Sequence, residues 1–416
     1  MLNVAAPRLL LTGGSIGGGQ VQSVLFQSSR VEAMGLEADR LADNRPCERL
    51  DLSGYVLLPA AGEPHAHLDK ALLGERTANP SGTLLGAIAA TRATYPTMTA
   101  KDVRERALRS LRIAVRRGFT SVRTHVTCEA GLDGEAIAAL VALRNEVASV
   151  VDLQVIAMAG NPITGADGAV NRRLLDEALQ AGADGVGGAP ALDSEPSLAV
   201  RQLVELAADR NLRVDLHLDE TLDPLSLTVR TFADEVEAHG LAGLATASHC
   251  VSLGQQDTTV ARDIATRLRT AGVCVITLPQ TNLYLLGRER ETRVLRGLTA
   301  VGILRSAGVT VAGGGDNWRD AFNPTSRIDP LETASLLVVA AHLSPAEAYD
   351  AVSTCARQAM GLPSGAIVVG HETDVLAVKG SSLGEVIANA PDDRVVIRRG
   401  KIVARTRVLH ETEPDL

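Results

Sequence analysis

Two histidines one residue apart, His65 and His67, end the segment YVLLPAAGEPHAH, whose first half is apolar. In an extended strand the side chains at i and i+2 share one side, so both imidazoles could reach one metal ion. Residues of the same chemical type end other apolar runs: His125 in FTSVRTHV, His217 in LRVDLHLDE, His249 in LATASHC and Asp316 in VTVAGGGD. If their strand ends meet, His65, His67, His217 and Asp316 converge. Three imidazoles and a carboxylate make a borderline ligand set suited to Zn²⁺ or Fe²⁺, with a position left for water. Water on such a cation is acidified from about 15.7 towards 7, which supplies hydroxide at neutral pH. The other histidines, His239, His342, His371 and His410, stand in helical or turn contexts and are expected to be surface or capping residues.

Convergence needs a scaffold that gathers strand ends. With VDLQVIAMA, DGVGGAP and VCVITLP the chain has eight short apolar runs, recurring about every thirty residues beyond the first interval and alternating with helical patterns. In one helical segment Thr99 is the expected N-cap, Val103, Ala107, Leu111 and Ala114 mark one face, and Gly118 is the stop. Ser344, Pro345 and Glu347 read as a capping box. Strand–helix alternation argues for an α/β protein with a parallel sheet. Eight units suit a (β/α)₈ TIM-like barrel over residues 59–361, with functional residues at the C-terminal strand ends. A doubly wound open sheet is the rival, but it carries one switch-point site. Residues 1–58 and 362–416 read as β-hairpins expected to pair into one small β-sandwich built from both termini. GGSIGGG lacks the Walker lysine and opens no helix, so it is expected to be a turn.

Composition narrows the function. Hydrophobic residues make up 45% of the 416 and aromatics 2%, so the core must be built from Ala, Val, Leu and Ile. The net charge of −8 and the scattered basic residues argue against nucleic acid and against a polybasic membrane surface. No apolar run approaches the ~20 residues of a membrane span. The N-terminus lacks the charged start of a signal peptide. The five cysteines are far apart and form no Cys-x-x-Cys pair, so neither a disulfide framework nor a thiolate site is expected. The expectation is a soluble cytoplasmic protein.

The strand-end residues resemble the amidohydrolase superfamily, and GAIVVGHETDVLAV is similar to its C-terminal G-x-I-x-x-G-x-x-A-D-L segment. Closer similarity, in HLD, SGTL, RTHV, VDLQVIA, H-x-D-E, ASH and TNLYLLGR, is to the cytosine deaminase-like branch. The resemblance implies one divalent metal ion per chain, Zn or Fe, on His65, His67, His217 and Asp316. None of the four lysines, Lys70, Lys101, Lys379 and Lys401, lies near the fourth run, where many binuclear relatives carry a carboxylated lysine. Glu220 would protonate a ring nitrogen of an aminated heterocycle, His249 would hydrogen-bond and polarise the hydroxide, and Asp316 would also pass the water proton to the leaving ammonia. The structural alternative for Glu220 is an ion pair with a strand-end arginine such as Arg123.

Two positions depart from that branch. Gly160, with Asn161 next, stands where it has a glutamine, and Asn317 where it has a second aspartate. DNWRD is instead similar to the D-N-x-R-D of N-isopropylammelide isopropylaminohydrolase. Expected substrate-binding residues are Lys70, Gly160, Asn161, Asn282, Asn317 and Trp318, the last able to stack on a planar ring or to plug the barrel mouth. Arg288 and Arg319 are expected to be structural ion-pair residues. The expected activity is hydrolytic deamination of a pyrimidine-, triazine- or pterin-type ring. The alternative is cleavage of a cyclic amide or imide, or removal of an N-alkyl amine. The partner is a small heterocycle, and the family implies a homo-oligomer.

Overall fold

The computed structural model describes residues 8–132, 134–409 and 411, so His410 lies outside the described residues. Eight parallel strands follow one another in chain order around one sheet: Ala61–Ala66, Phe119–Cys128, Asp152–Ala159, Gly185–Gly188, Arg213–Leu218, Ala245–His249, Cys274–Thr277 and Val311–Gly313. A parallel bridge between Ala66 and Asp316 joins the last strand to the first, and Asp316 donates its N–H to the His65 carbonyl at 3.0 Å. The eight apolar runs are thus the eight strands of a closed barrel. One run divides: Tyr55–Pro59 leaves the barrel and pairs antiparallel with Val375–Lys379 near the other end of the chain.

That pairing explains why the two termini meet. Ser15–Ile16, Tyr55–Pro59, Val375–Lys379, Arg394–Arg398 and Lys401–Thr406 make one five-stranded sheet. Arg8–Thr12, Val24–Gln27, Arg30–Met34 and Glu48–Asp51 make a four-stranded sheet. Leu9, Leu11, Phe26, Leu57, Val375 and Ile397 belong to one buried cluster between them. Alternation along each strand sends these side chains inward. GGSIGGG is the turn region around Ser15–Ile16.

Local signals outside the barrel strands also hold. Thr99 caps the helix Ala100–Arg117, its hydroxyl accepting from the Asp102 N–H, and Gly118 ends it at φ 110°. Val103, Ala107, Leu111 and Ala114 are buried on its inner face. Ser344 and Glu347 form a reciprocal capping box on the helix Pro345–Val352. His239 and His342 occupy helix C-caps, and His371 is exposed. Among the described residues no helix is long and apolar enough to cross a membrane.

Closure of the barrel turns on Glu63. This buried carboxyl accepts the His65 N–H at 3.1 Å and the Gly315 N–H at 2.8 Å, tying the first strand to the turn after the eighth. Burial outweighs those two hydrogen bonds and pushes its pKa up to about 8. The glycine run before Asp316 makes room for it. A Cβ on Gly314 would lie 2.6 Å from Glu63 Oε1 and 2.9 Å from Leu278 Cδ2. Gly314→Ala is therefore expected to destabilise the protein by about 1–3 kcal/mol through overpacking, read from the denaturation midpoint. The control is Gly302→Ala, in the helix Val301–Ser306 with nothing within 4 Å of the added Cβ. It should gain a few tenths to about 1 kcal/mol from the Gly-to-Ala helix preference.

Candidate active site

Polar residues alternate along the barrel strands. Glu63, His65 and His67 are spaced i, i+2, i+4, as are Arg123, His125 and Thr127, and Asp215 and His217 are two apart. That period of two sends them to one side of each strand, and the contacts below show that side to be the interior. Asp215 is fully buried and accepts from Arg123 Nη1 at 2.8 Å. Arg123 therefore does not pair with Glu220; its other donors reach Thr246, Gln154 and the Ala359 carbonyl. Burial alone would raise the Asp215 carboxyl, but His125 and Arg123 outweigh it and hold the pKa below the usual range.

Asp215 also accepts from the Ser248 hydroxyl at 2.7 Å, and Ser248 Oγ lies 2.9 Å from His65 Nδ1. Because the hydroxyl proton goes to Asp215, Ser248 can only accept from Nδ1–H. That fixes the His65 tautomer and leaves a lone pair on Nε2. His65 Nε2 lies 3.0 Å and His67 Nε2 3.1 Å from His217 Nε2. Three imidazole nitrogens so close and so deeply buried cannot all satisfy one another. Asp316 adds a carboxylate oxygen 3.3 Å from His67 Nε2 and 3.8 Å from His65 Nε2, and neither of its oxygens accepts a well-formed hydrogen bond among the described residues. Burial, then the neighbouring imidazoles, push His65 and His217 well below the usual histidine range. They are neutral at pH 7, the form that ligates.

The ligand atoms of His65, His125 and His217 lie within 4.8 Å of one another, and so do those of His65, His249 and Asp316. His125 stacks on His65 with ring centroids 4.0 Å apart and faces Asp215 at 3.5 Å. The donor set of neutral imidazoles and an unpartnered carboxylate fits a borderline divalent cation. His249 and Asp316 sit in the left-handed region at φ 68° and 59°, a conformation that costs of order 1–3 kcal/mol off glycine.

His67, His217, Glu220, His249 and Asp316 line one cavity, with Lys70, Gly160, Asn161 and Asn317. Leu84, Ile88, Met158, Leu192 and Phe322 form apolar parts of its wall, suited to a flat ring. Glu220 Oε1 accepts from the Asn282 amide at 3.1 Å and lies 3.4 Å from His249 Nδ1. Burial, then the negative Asp316, push the Glu220 carboxyl well above the ordinary range. Lys70 Nζ lies 2.9 Å from Thr127 Oγ1, 3.2 Å from Asp69 and 3.3 Å from His67 Nδ1.

Two expected substrate contacts are placed elsewhere. Asn282 is buried behind Glu220 and His249, bonded to both. Trp318 is 1% exposed, in the main core cluster, its ring 6.2 Å from that of Phe119. The turn at Asp316 and the left-handed Arg319 send the indole into the core, so it neither stacks on a ligand nor plugs the mouth. Arg288 and Arg319 bond carbonyls, of Tyr284 and Ser326, rather than acids. Asn317 donates to the buried Asp320 at 2.8 Å. An aspartate at 317 would set a second carboxyl there.

Glu129, Arg92 and Tyr95 also line the cavity and were not foreseen, because Glu129 lies just past the end of a strand and the other two on a helical segment without a motif. Asp215 and Ser248 were missed although the alternation of polar residues within buried strands was a usable signal.

Comparison with known proteins bears on this geometry. Residues 72–404 match the Amidohydrolase family. The chain is 32% identical to a pterin deaminase of Rhizobium rhizogenes, over 97% of this chain and 93% of the relative. The structure of 5-methylcytosine deaminase from Klebsiella pneumoniae superposes with a TM-score of 0.86 at 25% identity, covering 98% of this chain and all of that one. N-isopropylammelide isopropylaminohydrolase from Burkholderia multivorans gives 0.82 at 26%, covering 96% and 98%.

The Asp215–Ser248–His65 chain yields a test. Ser248→Ala removes the acceptor that fixes the His65 tautomer. It is expected to weaken divalent-cation retention about 10- to 100-fold, measured as metal content against chelator concentration, with the fold intact by circular dichroism.

Proposed function

Since the chain belongs to the amidohydrolase family, we propose that it hydrolytically deaminates an aminated nitrogen heterocycle, with one divalent metal ion per chain, zinc or iron. The pterin type is favoured among such rings by the relationship at 32% identity. The observation that carries the reading is the convergence of the Nε2 atoms of His65, His67 and His217 with the Asp316 carboxylate, of which His67, His217 and Asp316 line the same cavity as Glu220. His65, His67, His217 and Asp316 are the proposed metal-holding residues. A cation held there acidifies water and so supplies the nucleophile at neutral pH.

The remaining chemistry belongs to side chains. Glu220 delivers a proton to the ring nitrogen beside the amine-bearing carbon. Its raised pKa suits a carboxyl that must be protonated to act. His249, held at Nδ1 by Asn282, turns its other nitrogen to the attacking water and orients it. Asp316 accepts the water proton and passes it to the departing amine. A carbon–oxygen bond forms, the carbon–nitrogen bond breaks and ammonia leaves, while the proton remaining on the new oxygen returns to Glu220 as the ring carbonyl forms. Lys70, Asn161 and Asn317 are the proposed ring contacts. Gly160 makes room for the Glu129 side chain, and Asn282 acts through Glu220 and His249. The five cysteines are free, which supports a reducing, cytoplasmic setting.

Ammonia release is expected from an aminopteridine, aminopyrimidine or aminotriazine, lost on chelation and restored by Zn²⁺ or Fe²⁺. The product should be 1 mass unit heavier than the substrate; a gain of 18 with no ammonia would mean ring opening and defeat the reading. Glu220→Gln is expected to lower kcat by about 10²- to 10⁴-fold. The sign with pH follows from the protonated form being the active one. Wild-type kcat/KM should fall as pH rises through the elevated Glu220 pKa, not near the ordinary carboxylate value. Glu220→Gln should lack that alkaline limb.

A further inference from the structure

Across the cavity wall, Glu129 follows the second barrel strand and lines the same space as His67, His217 and Glu220. Its side chain occupies the room that a residue at 160 would otherwise fill. A Cβ on Gly160 would lie 2.9 Å from Glu129 Cβ and 3.0 Å from Cγ. Any side chain at 160 would force Glu129, or the chain on either side, to shift, with Asn171 Oδ1 a further 3.1 Å neighbour. Glu129 is held from the helix Leu84–Thr94 and the turn after it. Arg92 Nε donates to Oε2 at 3.1 Å, Arg92 Nη2 donates to Oε1, and the Tyr95 hydroxyl donates to Oε2 at 2.8 Å. That leaves Arg92 Nη1 and the outer lone pairs of the carboxylate uncommitted among the described residues. An acceptor and a donor therefore stand side by side in a wall otherwise rich in apolar residues.

We propose that Glu129 and Arg92 are the specificity-determining pair of this site, and that they read a cyclic-amide edge of the ring, Glu129 accepting its N–H and Arg92 donating to its C=O. The inference rests on the deaminase reading of the site and names the class of ring within it: 2-amino-4-oxo heterocycles in preference to their 2,4-diamino counterparts. A diamino ring presents an unprotonated ring nitrogen to Glu129 and an amino group to Arg92, so acceptor meets acceptor and donor meets donor. Sites built on such hydrogen bonds discriminate where the wrong ligand leaves a buried polar group unpaired; here that group is the Glu129 carboxylate, 13% exposed, whereas the Arg92 side chain is 49% exposed and keeps its access to water. The alternative is that the trio only fastens the helix Leu84–Thr94 to the barrel, in which case its loss would affect every substrate alike.

The experiment compares 2-amino-4-oxopteridine with 2,4-diaminopteridine on wild type, Glu129→Gln, Glu129→Ala and Gly160→Ala, by ammonia release. It adds calorimetric binding of 2,4-dioxopteridine, which carries the same edge and has no amine to lose. Wild type is expected to prefer the 4-oxo substrate by at least tenfold in kcat/KM. Each Glu129 variant should lose about 10- to 100-fold on that substrate, through KM more than kcat. Each should lose little on the diamino ring, so the preference collapses, and should bind the dioxo ring correspondingly more weakly. Gly160→Ala, whose Cβ would meet Glu129 at its own Cβ and Cγ, must shift the chain carrying Glu129 and should lose the preference in the same direction. Equal losses on both rings, or an unchanged preference in Glu129→Gln, would overturn the inference while wild-type ammonia release leaves the deaminase reading standing. If wild type released no ammonia, that reading would fall. Tighter binding of the dioxo ring by wild type than by Glu129→Gln would then still uphold the recognition pair, and equal binding would overturn it.

Discussion

A carboxylate sealed from water inside the barrel, Asp215, is the constraint on which the rest of the site depends. An unpaired charge there would cost several kcal/mol in lost hydration, so its surroundings are dictated. Arg123 meets one oxygen and Ser248 the other. Once Ser248 has given its proton to Asp215 it can only accept from His65, and the free nitrogen of His65 is directed at His217 and the Asp316 side of the site. The cluster at the mouth is thus oriented from below by residues that never reach the cavity.

The upper part of the site is built by bending backbone. Asp219, His249, Cys250 and Asp316 all adopt positive φ at or beside strand ends. Asp219 spends its carboxylate on the helix that follows, accepting from the Thr228 and Val229 N–H groups, which anchors the turn carrying Glu220. Asp316 is fixed by its N–H bond to the His65 carbonyl and by Glu63 beneath the preceding glycine. Closing the barrel and placing its last acidic residue are one event.

Much of this was legible in the residues. The eight strands, the helix caps and the strand-end positions of His65, His67, His217, Glu220, His249 and Asp316 follow from periodicity and from capping chemistry, which act over a few residues. The meeting of the two termini was legible as well, since short hairpins at either end could not bury their apolar faces alone. The alternation Glu63–His65–His67 and Asp215–His217 carried more information than its metal-type members, because it marked a polar column inside the barrel.

Side-chain direction beyond the strands was decided only by the fold. Trp318 reads as a ring-stacking residue until the turn at Asp316 sends its indole into the core, against Phe119. Asn282 reads as a substrate contact until packing sets it behind Glu220 and His249. Gly160 reads as a substrate-binding position without the glutamine side chain until Glu129, some thirty residues earlier in the chain, is found packed against it. The sequence by itself determined which elements form and which side chains share a strand face, because hydrogen-bonded backbone repeats with fixed local geometry. The tertiary structure alone decided what lies across the cavity from what, because that depends on the closure of the barrel and on loops whose paths are set by distant contacts.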